Sequence, residues 1–282
     1  MKILKKTLTG LGLLAVLLGF IFLTSLWDGK GQYFFDALLI IVMAFSTYEM
    51  ITAFRKKGYN PEIIPLCIMV AAAYPLVIFF GYTGLFVLLG AGLILILCFY
   101  VFDQKVTLND MLVSLLIMLY PLAPIVLAIV MTNLYGMLPL LTAIGGAMMA
   151  DTIAYYFGSM IKGPKIFPKV SPNKTWSGSL FGILGGVGGT LLIYALFEVA
   201  GFPINNVVVF GQMFNPYLFY SLIGVAFAIV GEIGDLVASR IKRSLELKDF
   251  SNLLGSHGGL MDRLDSIIFA IVFMAIVLAF IA

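Results

Sequence analysis

The feature that most constrains this chain is a succession of apolar runs with no polar stretch between them long enough to build a soluble domain. A helix needs about 20 apolar residues to cross the hydrocarbon core of a bilayer. Nine runs are read as spans, at roughly 7–27, 33–53, 62–80, 84–102, 111–131, 137–159, 177–201, 216–239 and 264–282. Composition agrees. Hydrophobic residues make up 62% and charged residues 11%, against about 45–50% and about 25% in soluble domains. The expected fold is an all-α integral membrane protein, a polytopic bundle of about nine transmembrane helices. The first run lacks a small-residue cleavage site and is read as a helix rather than a signal peptide. Cys67 and Cys98 sit inside apolar runs, and no structural disulfide is expected.

Charge fixes the topology. With nine spans and the N-terminus in the cytoplasm, the inner segments collect every one of the 17 basic residues except Lys30. That is the positive-inside pattern, and it places the C-terminus outside. The chain then reads as an N-terminal scaffold of about four helices (1–110), middle helices (111–160) and a C-terminal catalytic part (161–282). The last part carries two cytoplasmic loops, 161–176 and 240–263. No internal repeat is visible, which weakens a transporter built from repeated halves. The seventh span opens "SGSLFGILGGVGG". Glycines this dense let helix backbones approach closely, and a groove for a lipid chain is the alternative reading.

Acidic groups in membrane spans are costly and usually functional. Glu232 and Asp235 lie on one face of the eighth span, with Ser239 one turn further on. Asp262 and Asp265 share a face at the start of the ninth. The loop joining these helices lets Asp235, Asp262 and Asp265 converge, and three carboxylates at one point call for a cation. Oxygen ligands suit a hard ion such as Mg²⁺. A single histidine and buried cysteines argue against zinc. The plainer reading is that Asp262 and Asp265 only favour a helix N-terminus.

The intervening loop supplies Arg240, Lys242, Arg243 and Lys248, cations suited to a polyphosphate beside a metal. Positive-inside anchoring alone would also place them there. Gly258 and Gly259, in "GSHGG", offer backbone amides to a phosphate, and His257 is a phosphate donor or an acid–base group. In the other loop Asp151 precedes "SPNKTWSG". Here Ser171 begins a turn, and Lys174, Thr175 and Ser177 stand before a helix start that can hold an anion. Trp176 is read as a base-stacking or an interfacial residue.

The run "SRIKRSLELKDFSNLLGSHGGLMDRLD", 239–265, resembles the signature of the phosphatidate cytidylyltransferases, the CDP-diacylglycerol synthases. The matching positions are Ser239, Lys242, Arg243, Lys248, Asp249, Ser251, His257, Gly258, Gly259, Asp262, Arg263 and Asp265. "DTIAYYFG" and "SPNKTWSG" resemble other segments of that family, with Ser177 departing from the usual glutamate. The resemblance covers about 151–265. It implies transfer of CMP from CTP to phosphatidic acid, with release of pyrophosphate. It also implies Mg²⁺, a metal centre that can hold a second, monovalent cation such as K⁺, and a homodimer in the cell membrane with its active site facing the cytoplasm. It assigns Asp235, Asp262 and Asp265 to metal and nucleotide phosphates, with Ser239 and Lys242 beside them. Partners are then CTP and membrane lipid, with no nucleic acid.

The residues fit that reaction. Phosphatidate is already anionic, so its oxygen can attack the α-phosphorus without a strong base, and the barrier is repulsion between two anions. Lys174, Lys242, Arg243, Lys248 and Arg263 would offset it. Rival readings are a CTP-dependent polyprenol or lipid kinase, transfer of CMP to an ether-linked lipid, and an ion transporter.

Overall fold

The computed structural model describes residues 31–168, 170–199, 208–209, 212–255 and 258–280. The expected first span and His257 lie outside them. The described residues are overwhelmingly helical. They form two compact units, residues 1–133 with 247–262, and residues 134–246 with 263–282.

The first unit opens with α1, Gln32–Arg55. Next comes α2, Ile63–Phe102, a helical run of 40 residues. A straight helix of that length would reach about 60 Å, twice the thickness of a hydrocarbon core. It does not run straight. Gly81 leaves helical geometry at φ 54°, ψ −129°, a conformation glycine adopts without a Cβ penalty. Beyond it the chain folds back. Gly84 abuts the Leu76 carbonyl and Gly92 abuts the Met69 side chain. The two arms therefore form an antiparallel hairpin. Its seam is Leu66, Met69, Ala73 and Val77 against Leu85, Leu88, Gly92 and Ile96, all buried. This spacing of three and four residues puts one stripe of each arm inward.

A third helical run follows. Thr107 caps α3, Leu108–Ile117, in a reciprocal capping box with Asp110. Met118–Leu122 widens into a π turn before α4, Ala123–Tyr135. Pro121 sits in that turn, where its missing N–H and its ring break the regular ladder. One carboxylate ties three helices together. Asp36 of α1 is fully buried and accepts from Gln32 Nε2, Tyr74 Oη of α2 and Asn133 Nδ2 of α4.

The second unit contains α5, Met137–Ile161, and α6, Trp176–Val199, joined by an antiparallel hairpin. The hairpin strands are β1, Lys165–Phe167, and β2, Ser171–Thr175. A two-strand ribbon, β3 Val208–Val209 and β4 Gln212–Met213, precedes α7, Pro216–Ser244, and α8 is Met261–Leu278. Glycines set the spacing. A Cβ on Gly189 would lie 2.5 Å from the Gly145 carbonyl oxygen, and one on Gly185 2.6 Å from that of Met149. Gly186 meets the backbone of Gly224 on α7. The glycine run of α6 is therefore a two-sided packing seam, although Gly188 faces open space.

Two sequence expectations change. Six helices among the described residues are long and apolar enough to cross a membrane, and the count of nine is not reached among them. The expected spans at 62–80 and 84–102 are the two arms of one helical run that turns back at Gly81 and is counted once. The last helix carries Asp262, Arg263 and Asp265 within 18 residues, so it is too polar to be counted. The loop expected to begin at Arg240 begins later, because α7 continues helical through Ser244.

The segment before α2 carries one unusual acid. The Glu62 amide donates to Ser114 Oγ at 2.8 Å, but both carboxylate oxygens are buried and have no hydrogen bond among the described residues. Burial, with Asp110 and Asp103 nearby, pushes its pKa from an ordinary 4.5 up to about 7. Between these values the folded protein keeps a proton that the unfolded chain has released. Stability therefore falls as pH rises from about 4.5 to about 7 and stays at the lower level above that. The thermal midpoint of the wild type should drop across this window relative to Glu62→Gln. Parallel midpoint curves for the two proteins would refute it.

Candidate active site

Within the second unit, four elements bring their ionisable side chains together. Strand β2 presents Lys174, α7 presents Glu232, Asp235, Ser239 and Lys242, α8 presents Asp265 and Ser266, and α5 presents Asp151. Gly234 makes this possible. It abuts the carbonyl of Asp265, and a Cβ there would stand 2.9 Å from the Phe269 ring. The glycine thus lets α7 touch α8 beside the two aspartates.

Lys174 Nζ lies 2.9 Å from Asp235 Oδ2 and 3.9 Å from Glu232 Oε1, and donates to the Glu232 carbonyl at 3.3 Å. Ser179 Oγ donates to Glu232 Oε1 at 2.6 Å. Ser266 Oγ donates to Asp151 Oδ2 at 2.7 Å. Asp265 is buried, with Asp235, Lys242 and Asp151 in electrostatic range, and Lys242 is buried too. Ser239 Oγ stands 3.5 Å from Asp235 Oδ1, at the limit of a hydrogen bond. Four carboxylates thus share this region with two ammonium groups. Acid in such excess over the two lysines suits a bound cation.

The other expected residues fall elsewhere. Thr175 is buried and caps α6, its Oγ1 accepting from the Gly178 amide at 3.2 Å. The Trp176 amide donates to the Pro164 carbonyl, so this helix start is already partly satisfied from within. Ser177, in the place of the family glutamate, donates to the Lys162 carbonyl at 2.8 Å. Ser171 opens β2 opposite Phe167. Arg243, Lys248 and Arg263 are exposed and Asp249 is half-buried.

The loop 247–262 belongs to the first unit. Asp262 Oδ2 accepts from the amides of Phe250 and Gly259, both at 2.9 Å. Glu49 of α1, only 2% exposed, accepts from Ser251 Oγ at 2.5 Å, the Leu260 amide at 2.9 Å and the Met261 amide at 2.7 Å. These contacts correct the reading of the glycines. The Gly259 amide is taken by Asp262 rather than offered to a phosphate. A Cβ on Gly259 would lie 2.7 Å from Glu49 Oε2, and one on Gly258 2.9 Å from Asp262 Oδ2. These glycines make room for carboxylates. Gly258 also has φ 79°, which side chains rarely adopt. Glu49 escaped the sequence reading because one acid in an apolar run carries no local pattern.

No three His, Cys, Asp or Glu side chains among the described residues are spaced to share one ion, so the expected three-carboxylate convergence is not seen among them. Mg²⁺ does not require it, since one or two carboxylates with water and substrate phosphates suffice. The all-oxygen set of Asp235 and Asp265, with Asp151 nearby, fits that demand.

The sequence matches the cytidylyltransferase family over residues 9–281, and the chain belongs to that family. It is 34% identical to the phosphatidate cytidylyltransferase of Bacillus subtilis over 146 residues, which are 51% of this chain and 49% of that one. It is 36% identical to the enzyme of that name from Brucella abortus biovar 1 over 123 residues, 43% of this chain and 39% of the relative. The Rickettsia felis protein of that name is 36% identical over 118 residues, 42% and 48% of the two chains. The chain thus spans about half the length of these curated relatives, or less.

The Lys174–Asp235 pair should be a measurable interaction. Their side chains are only 18% and 28% exposed, so the coupling should exceed the surface value of under about 1 kcal/mol. A double-mutant cycle with Lys174→Met and Asp235→Asn, read by thermal unfolding in EDTA, should give about 1–3 kcal/mol. Additive single mutants would show that the pair is not formed.

Proposed function

We propose that this member of the cytidylyltransferase family transfers the cytidylyl group of CTP to phosphatidic acid, giving CDP-diacylglycerol and pyrophosphate. The observation that carries the reading is the cluster at the end of α7. Four carboxylates and two lysines share a site built from four elements, in a chain whose relatives bear that enzyme name. The positive-inside pattern supports a site on the cytoplasmic face of the cell membrane, where CTP is available. The family resemblance adds a homodimer.

In this reaction an ionised phosphate oxygen of phosphatidate attacks the α-phosphorus of CTP. A new P–O bond forms on one side, and the bond to the bridging oxygen breaks on the other. Pyrophosphate leaves with the electron pair. No residue need take a proton from the nucleophile, because phosphatidate is already an anion near neutral pH. What the chain must do is bring two anions together in line.

Asp235 and Asp265 would hold Mg²⁺, with Asp151 close by. Bound there, the ion would neutralise phosphate oxygens of CTP and of the leaving pyrophosphate. Asp235 is also the partner of Lys174, so a cation held by Asp235 would leave this lysine available to a phosphate. Lys242 supplies a second buried ammonium. One divalent ion balances the four carboxylates and two lysines of the free site. A second, monovalent cation is not required by that balance. Ser239 stands where its hydroxyl can reorient between Asp235 and substrate. Arg243, Lys248 and Arg263 are exposed and suited to the outer phosphates of incoming CTP.

The test uses the purified full chain with phosphatidate, Mg²⁺ and CTP labelled at the α-phosphate. Label should pass into lipid, and Asp265→Asn should slow transfer by about 100-fold or more, the scale of losing a transition-state electrostatic partner. Movement of γ-label instead would make the protein a CTP-dependent lipid kinase. If neither label moves, the catalytic reading fails.

A further inference from the structure

Glu49 is one of the buried acids of the N-terminal helices that the reaction leaves without a role. Glu49 sits in α1, buried among apolar neighbours, and its carboxylate receives three donors from residues 251–261. Two of them are the amides of Leu260 and Met261, at the start of α8. The first four amides of a helix have no partner within it, and the positive end of the helix dipole favours an anion there. The third donor, Ser251 Oγ, comes from the far side of the same loop. One side chain therefore closes the loop upon itself and caps the helix that follows.

We propose that Glu49 is a positioning residue. It ties Ser251 to Leu260 and Met261, the residues just before Asp262, and it fixes the first turn of α8, one turn before Asp265. This role rests on the cytidylyl-transfer reading. In this role Glu49 acts through the loop, and its carboxylate, not a phosphate, takes the amides at the start of α8.

The chemistry at position 49 is narrow. All three partners donate, so the group must accept at both oxygens. A glutamine has the right length but turns an N–H₂ toward a donor, whichever way it is flipped. An aspartate keeps the charge but is one methylene short. Both changes should loosen the loop while leaving the apolar surroundings of α1 in place. Groups that orient metal ligands from outside are worth about 10- to 100-fold in metal affinity or activity, and displacements near 1 Å about 100-fold in rate.

The experiment compares wild type, Glu49→Gln and Glu49→Asp as full chains by two readouts. The first is amide hydrogen exchange of the metal-free protein. Peptides covering 250–262 should exchange at least about tenfold faster in the variants, while peptides from α7 keep their wild-type rates. The second is the Mg²⁺ concentration giving half-maximal transfer of α-label, which should rise about tenfold or more. A simple loss of folded protein lowers the amount of activity but leaves that midpoint unmoved, and it raises exchange in both regions together. Unchanged loop exchange in both variants, or a midpoint within twofold of wild type, overturns the proposal. Where neither variant can be purified, Ser251→Ala removes one of the three donors. It should shift both readouts in the same direction by less, and no shift overturns the role. If wild type transfers no label at all, the reaction is wrong, and loop exchange alone then decides whether Glu49 holds this segment.

Discussion

A carboxylate carried into a membrane helix must find its donors or cations inside the protein, because the surrounding lipid offers none. That demand organises much of this molecule. Asp36 gathers donors from its own helix, α2 and α4. Glu49 gathers the loop and the start of α8. Asp235 takes Lys174, Glu232 takes Ser179, and Asp151 takes Ser266. Each acid joins segments far apart in the chain. The acids thus act as fixed points, and the apolar helices fill the space between them. The cluster around Asp235 differs in holding more carboxylates than its two lysines neutralise. That surplus is the observation behind the cation and polyphosphate site proposed above.

Small residues make such convergence possible. A carboxylate on α7 can meet one on α8 only if the helix backbones come close, and Gly234 allows this beside both aspartates. The same device runs along α6, where Gly185 and Gly189 face α5 and Gly186 faces α7. Without water to drive helices together, close backbone packing supplies much of the attraction. The glycines of the sequence thus set the distances on which the charges depend.

The helical membrane architecture was legible because length and hydropathy dominate it. The cluster was legible in part, since Asp235, Lys242 and Asp265 stand at helix ends within one short polar stretch. Lys174 was readable as a cation but not as the partner of Asp235, since 61 residues separate them in number and no local pattern records the pairing. The β-hairpin before Trp176 was missed because five residues with proline and asparagine carry no alternation of apolar and polar side chains. Gly258 and Gly259 were misread for a related reason. Glycine marks a close approach, but the sequence does not say by what, and here it is the carboxylates of Asp262 and Glu49. Asp36 and Glu49 looked like stray polar residues in a scaffold, because their donors lie up to 97 and 212 residues away.

The Glu49 clasp has a consequence for the making of the protein. Helix α1 enters the membrane early in synthesis, while Ser251, 202 residues further on, is still untranslated. At about 5–20 residues per second the wait lasts roughly 10–40 seconds. An acid at the centre of an inserting helix costs about 2.5–3.5 kcal/mol, and one near the end, with Arg55, Lys56 and Lys57 following, costs less. The newborn helix must tolerate this load by tilting the acid toward the headgroups. Only after 202 further residues does the loop arrive to relieve it. A late segment thereby completes the burial of an early one, and synthesis that stops between them leaves behind a membrane helix with its acid still unsatisfied.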